Sequence, residues 1–116
     1  MSIEAMQWAW SLNLKPSPKI LLLRLADQTN SDGSCWPGKG SLSEATGLGK
    51  SSVKRVLRGL EELGLLAVGH RWSPEVGRHQ SNVYQLNIGG TPAANASAEA
   101  LKLLVSAPEG GGVTSP

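Results

Sequence analysis

The clearest pattern in the chain is an apolar stripe that recurs at i, i+3, i+4 and i+7. It consists of Val53, Val56, Leu57 and Leu60. This spacing predicts an amphipathic helix that buries one face. At about 100° per residue, Arg55 and Arg58 lie on the opposite face. A helix that is anchored on one side and presents arginines on the other suits the major groove of DNA.

A shorter helix is predicted directly before it, over about residues 39–46, with Leu42 and Ala45 buried. Gly47 follows this helix and suits the left-handed backbone that a tight turn between helices requires. The two segments therefore predict a helix-turn-helix whose second helix is basic and begins near Lys50.

A third helix is predicted further upstream, with Ser17 as its N-cap and Pro18 at its first helical position. Apolar residues cover nearly its whole circumference: Ile20, Leu21, Leu22, Leu23, Leu25 and Ala26. We therefore expect this helix at the centre of the core. Turn residues at 30–33 end it.

Extended segments are predicted around these helices. An alternating pattern near the start predicts a short extended arm with its tryptophans inward, formed by Trp8, Trp10, Leu12 and Leu14. Cys35-Trp36-Pro37 predicts a small strand. After Gly64, a predicted C-cap, residues 65–72 and 82–88 predict two strands joined by a loop at 73–81. The pattern predicts a mainly α fold with a small β-hairpin, a winged helix-turn-helix of three core helices plus a wing.

The length of 116 residues allows one small domain and a tail. We expect residues 1–89 to form the winged helix-turn-helix DNA-binding domain. Residues 90–116 predict a linker with a short helix at 97–106 and a flexible end rich in glycine and proline. One interpretation of that end is a connection to a further region of a longer protein.

Charge supports a nucleic-acid partner through its distribution, because the net charge is only +2. Between positions 50 and 79, six Lys or Arg and three Glu give +3, which leaves −1 for the rest. A basic balance confined to one region is typical of a DNA footprint. An ordinary solvated helix face is the alternative, and the agreement of turn, wing and charge favours DNA over it.

Several motifs in this order resemble those of a known family. They are Leu25-Ala26-Asp27, Asp32-Gly33-Ser34-Cys35-Trp36-Pro37, Thr46-Gly47-Leu48, Ser52-Val53 and Gly64-Leu65-Leu66. Over about residues 9–88 the chain resembles the winged helix-turn-helix family of phage and plasmid replication-associated proteins and related regulators. The resemblance implies double-stranded DNA as the ligand. It departs at Gly38 and Gly49, where a serine-type cap is usual, and at Ser43, where a small apolar residue is usual.

Nine residues are the predicted DNA contacts. They are Lys50, Ser51, Ser52, Lys54, Arg55, Arg58, Arg71, Arg78 and His79. The last three belong to the wing, and the resemblance implies that Ser51, Ser52, Lys54, Arg55 and Arg58 face DNA. Arg55 is our choice for a base contact, because a guanidinium pairs bidentately with guanine. A contact from Arg55 to phosphate alone is the alternative.

Other chemistry finds little support in the sequence. Gly49-Lys50-Ser51 imitates the end of a phosphate-binding P-loop, but Glu44 occupies the position that needs glycine, and a helix rather than a strand precedes it. His70 and His79 lack a ligand pair at metal spacing, so no metal or cofactor is expected. Trp36 and Trp72 would stack on bases in a single-stranded ligand, although packing is favoured. Nothing indicates catalysis, and the chain is predicted not to be an enzyme.

The cysteine count, the hydropathy and the tail helix bear on the location and the partners of the protein. Cys35 is a single cysteine, no apolar run approaches ~18 residues, and the start lacks the pattern of a signal peptide, so a cytoplasmic protein is expected. In the tail helix, Leu101, Leu104 and Val105 share a face that docks either on its own domain or on a second copy. A competing hypothesis is a winged-helix protein-interaction module that uses this stripe to bind a replication or other partner protein.

Overall fold

The protein is a winged helix-turn-helix with one additional helix at each end. A computed structural model describes residues 2–73, 78–93 and 96–105, with backbone alone for 70–73 and 78–81. The elements follow in the order α1 (Ile3–Ser11), α2 (Pro16–Gln28), β1 (Ser34–Cys35), α3 (Lys39–Thr46), α4 (Lys50–Glu62), β2 (Leu66–Ser73), β3 (Arg78–Leu86) and α5 (Ala98–Leu104). Helices α2, α3 and α4 form the three-helix core, and β2 and β3 form the wing.

The first element is a helix, so the prediction of an extended arm is wrong. Ser2 is the N-cap, and its hydroxyl oxygen accepts a hydrogen bond from the Ala5 N–H at 3.1 Å. Trp8 is buried, and its ring N–H donates to the Gly90 carbonyl at 2.8 Å. Trp10 is 61% exposed, contrary to the predicted inward position. The two tryptophans lie on different sides because α1 turns by about 100° per residue.

Helix α2 lies at the centre of the core, as predicted, although its start and one of its faces differ. Its N-cap is Lys15, two residues before the predicted one, and Pro16 and Pro18 both lie in the first turn. Prolines are tolerated there because the first N–H groups of a helix have no intrahelical partner. Ile20 is 44% exposed and Leu23 is half-buried, so one side of the helix faces outward.

The helix-turn-helix forms where it was predicted. Leu42 is fully buried between α2 and α4, but Ala45 is exposed, so its predicted burial is wrong. Helix α3 packs against both α2 and α4, and Leu42 is its buried residue. Gly47 adopts φ 81°, the left-handed conformation expected for this turn, and Gly64 follows α4 at φ 79°.

The three strands form an antiparallel sheet in the order β1-β3-β2. Tyr84 of β3 pairs with Cys35 on one side and with Val68 on the other, and it is almost fully buried. Both wing strands reach further toward the hairpin end than predicted: β2 is shifted by one residue and ends at Ser73, and β3 begins at Arg78 and ends at Leu86. The part of the predicted loop between them, residues 74–77, lies outside the described residues.

The residues after the wing return to the helical core. The Ala93 N–H donates to the Leu63 carbonyl at 2.8 Å. Helix α5 has Ser97 as its N-cap and buries Ala100 and Leu104 against α4. Val105 then forms an isolated antiparallel bridge with Leu14. The C-terminal segment up to residue 105 therefore closes over the domain next to α4.

Candidate nucleic-acid interface

Helix α4 separates an apolar from a cationic face. The stripe predicted from the sequence is buried, and the predicted contact residues lie on the remaining surface. The exposed ones are Lys50, Ser51, Lys54, Arg55 and Arg58. Ser52 is half-buried on one flank of the helix. This geometry presents two arginines and two lysines outward from a helix that is fixed along its opposite side.

The turn before α4 is braced by side chains. The Ser43 hydroxyl donates to the Leu48 carbonyl at 2.5 Å, across the turn. The Thr46 hydroxyl donates to the Leu42 carbonyl at 2.7 Å and accepts from the Leu48 N–H at 3.2 Å. Ser43 therefore links α3 to the last residues of the turn before α4.

Charge is segregated along the axis of α4. Its cations occupy positions 50–58, and Glu61 and Glu62 follow at the C-terminal end. Among the described side chains, the ion pair present joins Arg24 to Asp27 at 3.4 Å, and no carboxylate lies within 4.0 Å of a cation of α4. These charges are therefore available to phosphate, and the free N–H groups at the start of the helix add to the positive potential.

The wing brings its three predicted contact residues to one end of the hairpin. In the backbone register, Arg71 pairs with Ser81, while Trp72 pairs with His79. Arg78 pairs with the last residue of β2, and a register shift lies between positions 71 and 72. His70 pairs with Asn82 rather than His79. The two histidines therefore do not face each other across the hairpin.

The start of α2 and the end of α5 line the flank of α4 that carries Ser52. A hollow of about 180 Å³ there is bordered by Ser17, Ser52, Arg55 and Leu103, among other residues. The close contact of α4 with α5 was missed from the sequence. The sequence feature that indicates this contact is Gly59, because a glycine inside a helix often has a packing reason such as the close approach of another element.

The tail helix docks on its own domain, one of the two predicted alternatives. Leu104 is 4% exposed, and a Cβ built on Gly59 would lie about 2.3 Å from its Cδ1 atom. Leu101 and Val105 are half-buried against the core. The stripe proposed for a homodimer or a protein partner is therefore largely covered, and the exposed leucine of α5 is Leu103, at 47%.

A second hollow, of about 340 Å³, lies between the end of α2 and the start of α3. Trp36 on its wall is 47% exposed, which contradicts a core position. Cys35 is buried, and desolvation raises its pKa to about 11. Its thiol is therefore neutral near pH 7 and a poor nucleophile. Burial likewise raises the pKa of the Tyr84 hydroxyl. To a smaller extent, a hydrogen bond with Asn82 lowers this pKa and the charge interaction with Cys35 raises it.

No cluster of three or more His, Cys, Asp or Glu with the geometry of a metal site occurs in ranges 2–73, 78–93 and 96–105. Across these same ranges, every helix is too short or too polar to cross a bilayer.

The fold and the exposed cationic helix define the class of the protein as a winged helix-turn-helix. Residues 12–66 match a family described as a helix-turn-helix domain. The matched range extends from the end of α1 to the first residue of β2, so it contains α4. Neither a curated protein nor a solved structure shows significant similarity to the chain. The match supports DNA binding as the general activity and DNA as the partner.

Proposed function

We propose that the chain is a sequence-specific double-stranded DNA-binding module with α4 as its recognition helix. Its biological role is replication initiation or transcriptional control in a phage, plasmid or other mobile element. The resemblance over about residues 9–88 supports that role, and the helix-turn-helix match at 12–66 supports the DNA-binding activity beneath it.

The observation that carries the proposal is the pair Arg55 and Arg58, exposed on the face of α4 opposite the core and without a carboxylate neighbour among the described side chains. A helix with side chains is about 10–12 Å across, and the major groove is about 12 Å wide. Once α4 enters the groove, Arg55 is our choice for pairing with guanine O6 and N7. Lys50, Ser51, Ser52 and Lys54 position the helix through phosphate contacts.

The wing supplies a second contact in this proposal. Arg71, Arg78 and His79 belong to the last paired positions before the hairpin end. A basic hairpin beside the recognition helix contacts the adjacent backbone or enters the minor groove, where it favours A·T pairs. We expect A·T-rich flanks beside the bound motif to raise affinity if the wing enters the minor groove.

The test is selection of bound duplexes from fragmented bacterial and phage DNA with wild type, Arg55→Ala and Arg55→Lys. Lysine keeps the charge but loses the bidentate fork. We expect wild type to enrich one recurring motif and Arg55→Ala to bind it poorly. Arg55→Lys should retain affinity for random duplex while losing about 1–3 kcal/mol of discrimination at one guanine.

The outcomes separate the alternatives. A wild-type protein that enriches no motif would overturn sequence-specific recognition, and equal motif preference in Arg55→Lys would assign Arg55 to phosphate contact alone. Enriched motifs that cluster at replication origins favour the replication role, whereas motifs that overlap promoters favour transcriptional control. Binding to a protein partner that is insensitive to salt, without DNA binding, would instead support the interaction-module hypothesis.

A further inference from the structure

A second cationic group lies beside α4, contributed by α2 and α5. Lys15 and Lys102 are both exposed, and neither was among the predicted contacts. The Lys15 ammonium donates to the Lys102 carbonyl at 2.6 Å, and the Lys15 backbone N–H donates to the Leu104 carbonyl at 2.8 Å. These bonds fix the start of α2 to the end of α5 and place the Lys15 ammonium against the backbone of Lys102.

This pair lies on a defined side of the recognition helix. Ser17, two residues after Lys15, and Leu103, next to Lys102, border the same hollow as Arg55. The opposite flank of α4 faces α3, since a Cβ on Gly40 would lie 3.9 Å from the Lys50 side chain. Helix α4 therefore has α3 on one flank and α2 with α5 on the other. The lysine pair belongs to the flank formed by α2 and α5.

The geometry of the major groove indicates which part of DNA this flank faces. A helix fills most of the width of the major groove, so the two phosphate backbones that border the groove come against the elements on either side of it. The flank formed by α2 and α5 consequently faces one strand. We propose that Lys15 and Lys102 bind the phosphates of that strand, an inference that rests on the proposed function of α4.

The direction of α5 decides which charges lie near the lysine pair. Helix α5 runs antiparallel to α4, because the Ser97 N–H donates to the Glu62 carboxylate at 3.2 Å while Leu104 packs on Gly59. The acidic end of α4, with Glu61 and Glu62, thus lies beside the start of α5, whereas Lys102 lies in the last turn of α5. Carbonyls at a helix C-terminus repel anions. Lys15 reduces this repulsion because it donates hydrogen bonds to two of these carbonyls, those of Lys102 and Leu104. Its ammonium keeps two further protons that can bind a phosphate.

The experiment measures binding of the full chain to a duplex of about 30 base pairs, roughly three helical turns, at several salt concentrations. The variants are Lys102→Gln, Lys102→Arg, Lys15→Gln and the Lys15→Gln/Lys102→Gln double variant. Gln7→Glu on the exposed surface of α1 makes the same change in net charge as one lysine substitution, at a site outside the interface. Far-UV circular dichroism and denaturation check that each variant is folded.

Each phosphate contact contributes about 0.9 to the slope of log K against log salt. We expect Lys102→Gln and Lys15→Gln each to lower affinity roughly fivefold to tenfold near 0.1 M salt and the double variant to reduce the slope by about 2. Lys102→Arg should bind like wild type, and Gln7→Glu should change affinity less than twofold.

Unchanged affinity and slope in Lys102→Gln, with wild-type binding still lost in Arg55→Ala, would overturn the inference and leave the proposed function intact. Equal losses in Gln7→Glu and Lys102→Gln would also overturn it, because net charge alone would then explain the effect. A wild-type protein that binds no duplex would instead refute the proposed function itself.

Discussion

Gly59 lies in the middle of α4, at the point where Leu104 of α5 packs against the helix. A methyl group at position 59 would lie 2.3 Å from Leu104 Cδ1 and 3.2 Å from its Cγ, so Leu104 must move. Replacing glycine by alanine in a helix gains about 1 kcal/mol in the absence of such contacts. Overpacking costs about 1–3 kcal/mol, and loss of the buried Leu104 side chain costs about 1.5–3 kcal/mol.

We therefore expect Gly59→Ala to lower the free energy of unfolding by up to about 2 kcal/mol in the wild-type background. In a Leu104→Ala background the methyl group has room, and the same change should raise the free energy of unfolding by up to about 1 kcal/mol. The opposite signs correspond to a coupling energy of about 1–3 kcal/mol between the two positions.

Urea denaturation followed by far-UV circular dichroism and tryptophan fluorescence measures all four members of the cycle. Gly40→Ala is the matched control, since Gly40 also lies in a helix and the nearest heavy atom to its added Cβ is 3.9 Å away. Gly40→Ala should not destabilise the protein. If Gly59→Ala raised the free energy of unfolding equally with and without Leu104, docking of α5 on α4 would be refuted.

Three further predictions concern the N-terminal helix, the turn and the buried thiol. Trp8→Phe removes the bond to Gly90 and should cost about 1 kcal/mol or more in urea denaturation; no change would exclude that bond in solution. Gly47→Ala at φ 81° should cost about 1–2 kcal/mol, whereas Gly49→Ser at the N-cap with φ −67° should be neutral or stabilising; equal effects would contradict the left-handed turn. Burial raises the Cys35 pKa from 9.0 to about 11, so the unfolded state releases the thiol proton at a lower pH than the folded state does. The free energy of unfolding should therefore fall as pH rises between these two values, by at most about 1.4 kcal/mol for each pH unit. A Cys35→Ala variant that keeps this pH dependence would show that another group causes it.

The sequence was sufficient for the helix-turn-helix because its evidence is local. The stripe that begins at Val53 recurs at helical spacing, so it predicts both the helix and the face that is buried. Gly47 predicts its own backbone conformation, since the left-handed region is costly for residues with a Cβ. The cationic face of α4 follows from the same periodicity.

Local patterns failed where a segment fits more than one period. The tryptophans near the start alternate as a strand would, yet the same residues fit a helix once Ser2 caps it and the helix packs on α2 with Ala5 and Trp8 buried. Ile20 is apolar but exposed, because the orientation of α2 depends on what packs against it. Propensity and spacing do not contain that information.

The sequence by itself determined α4, the turn before it and its charged face, because each depends on residues within about four positions of one another. Only the tertiary structure decided that α5 closes against Gly59 and that Lys15 meets Lys102 beside α4. Lys15 and Lys102 are separated by 87 positions in the sequence. Such a contact depends on how the complete chain fills its core, and no periodicity along the sequence encodes it.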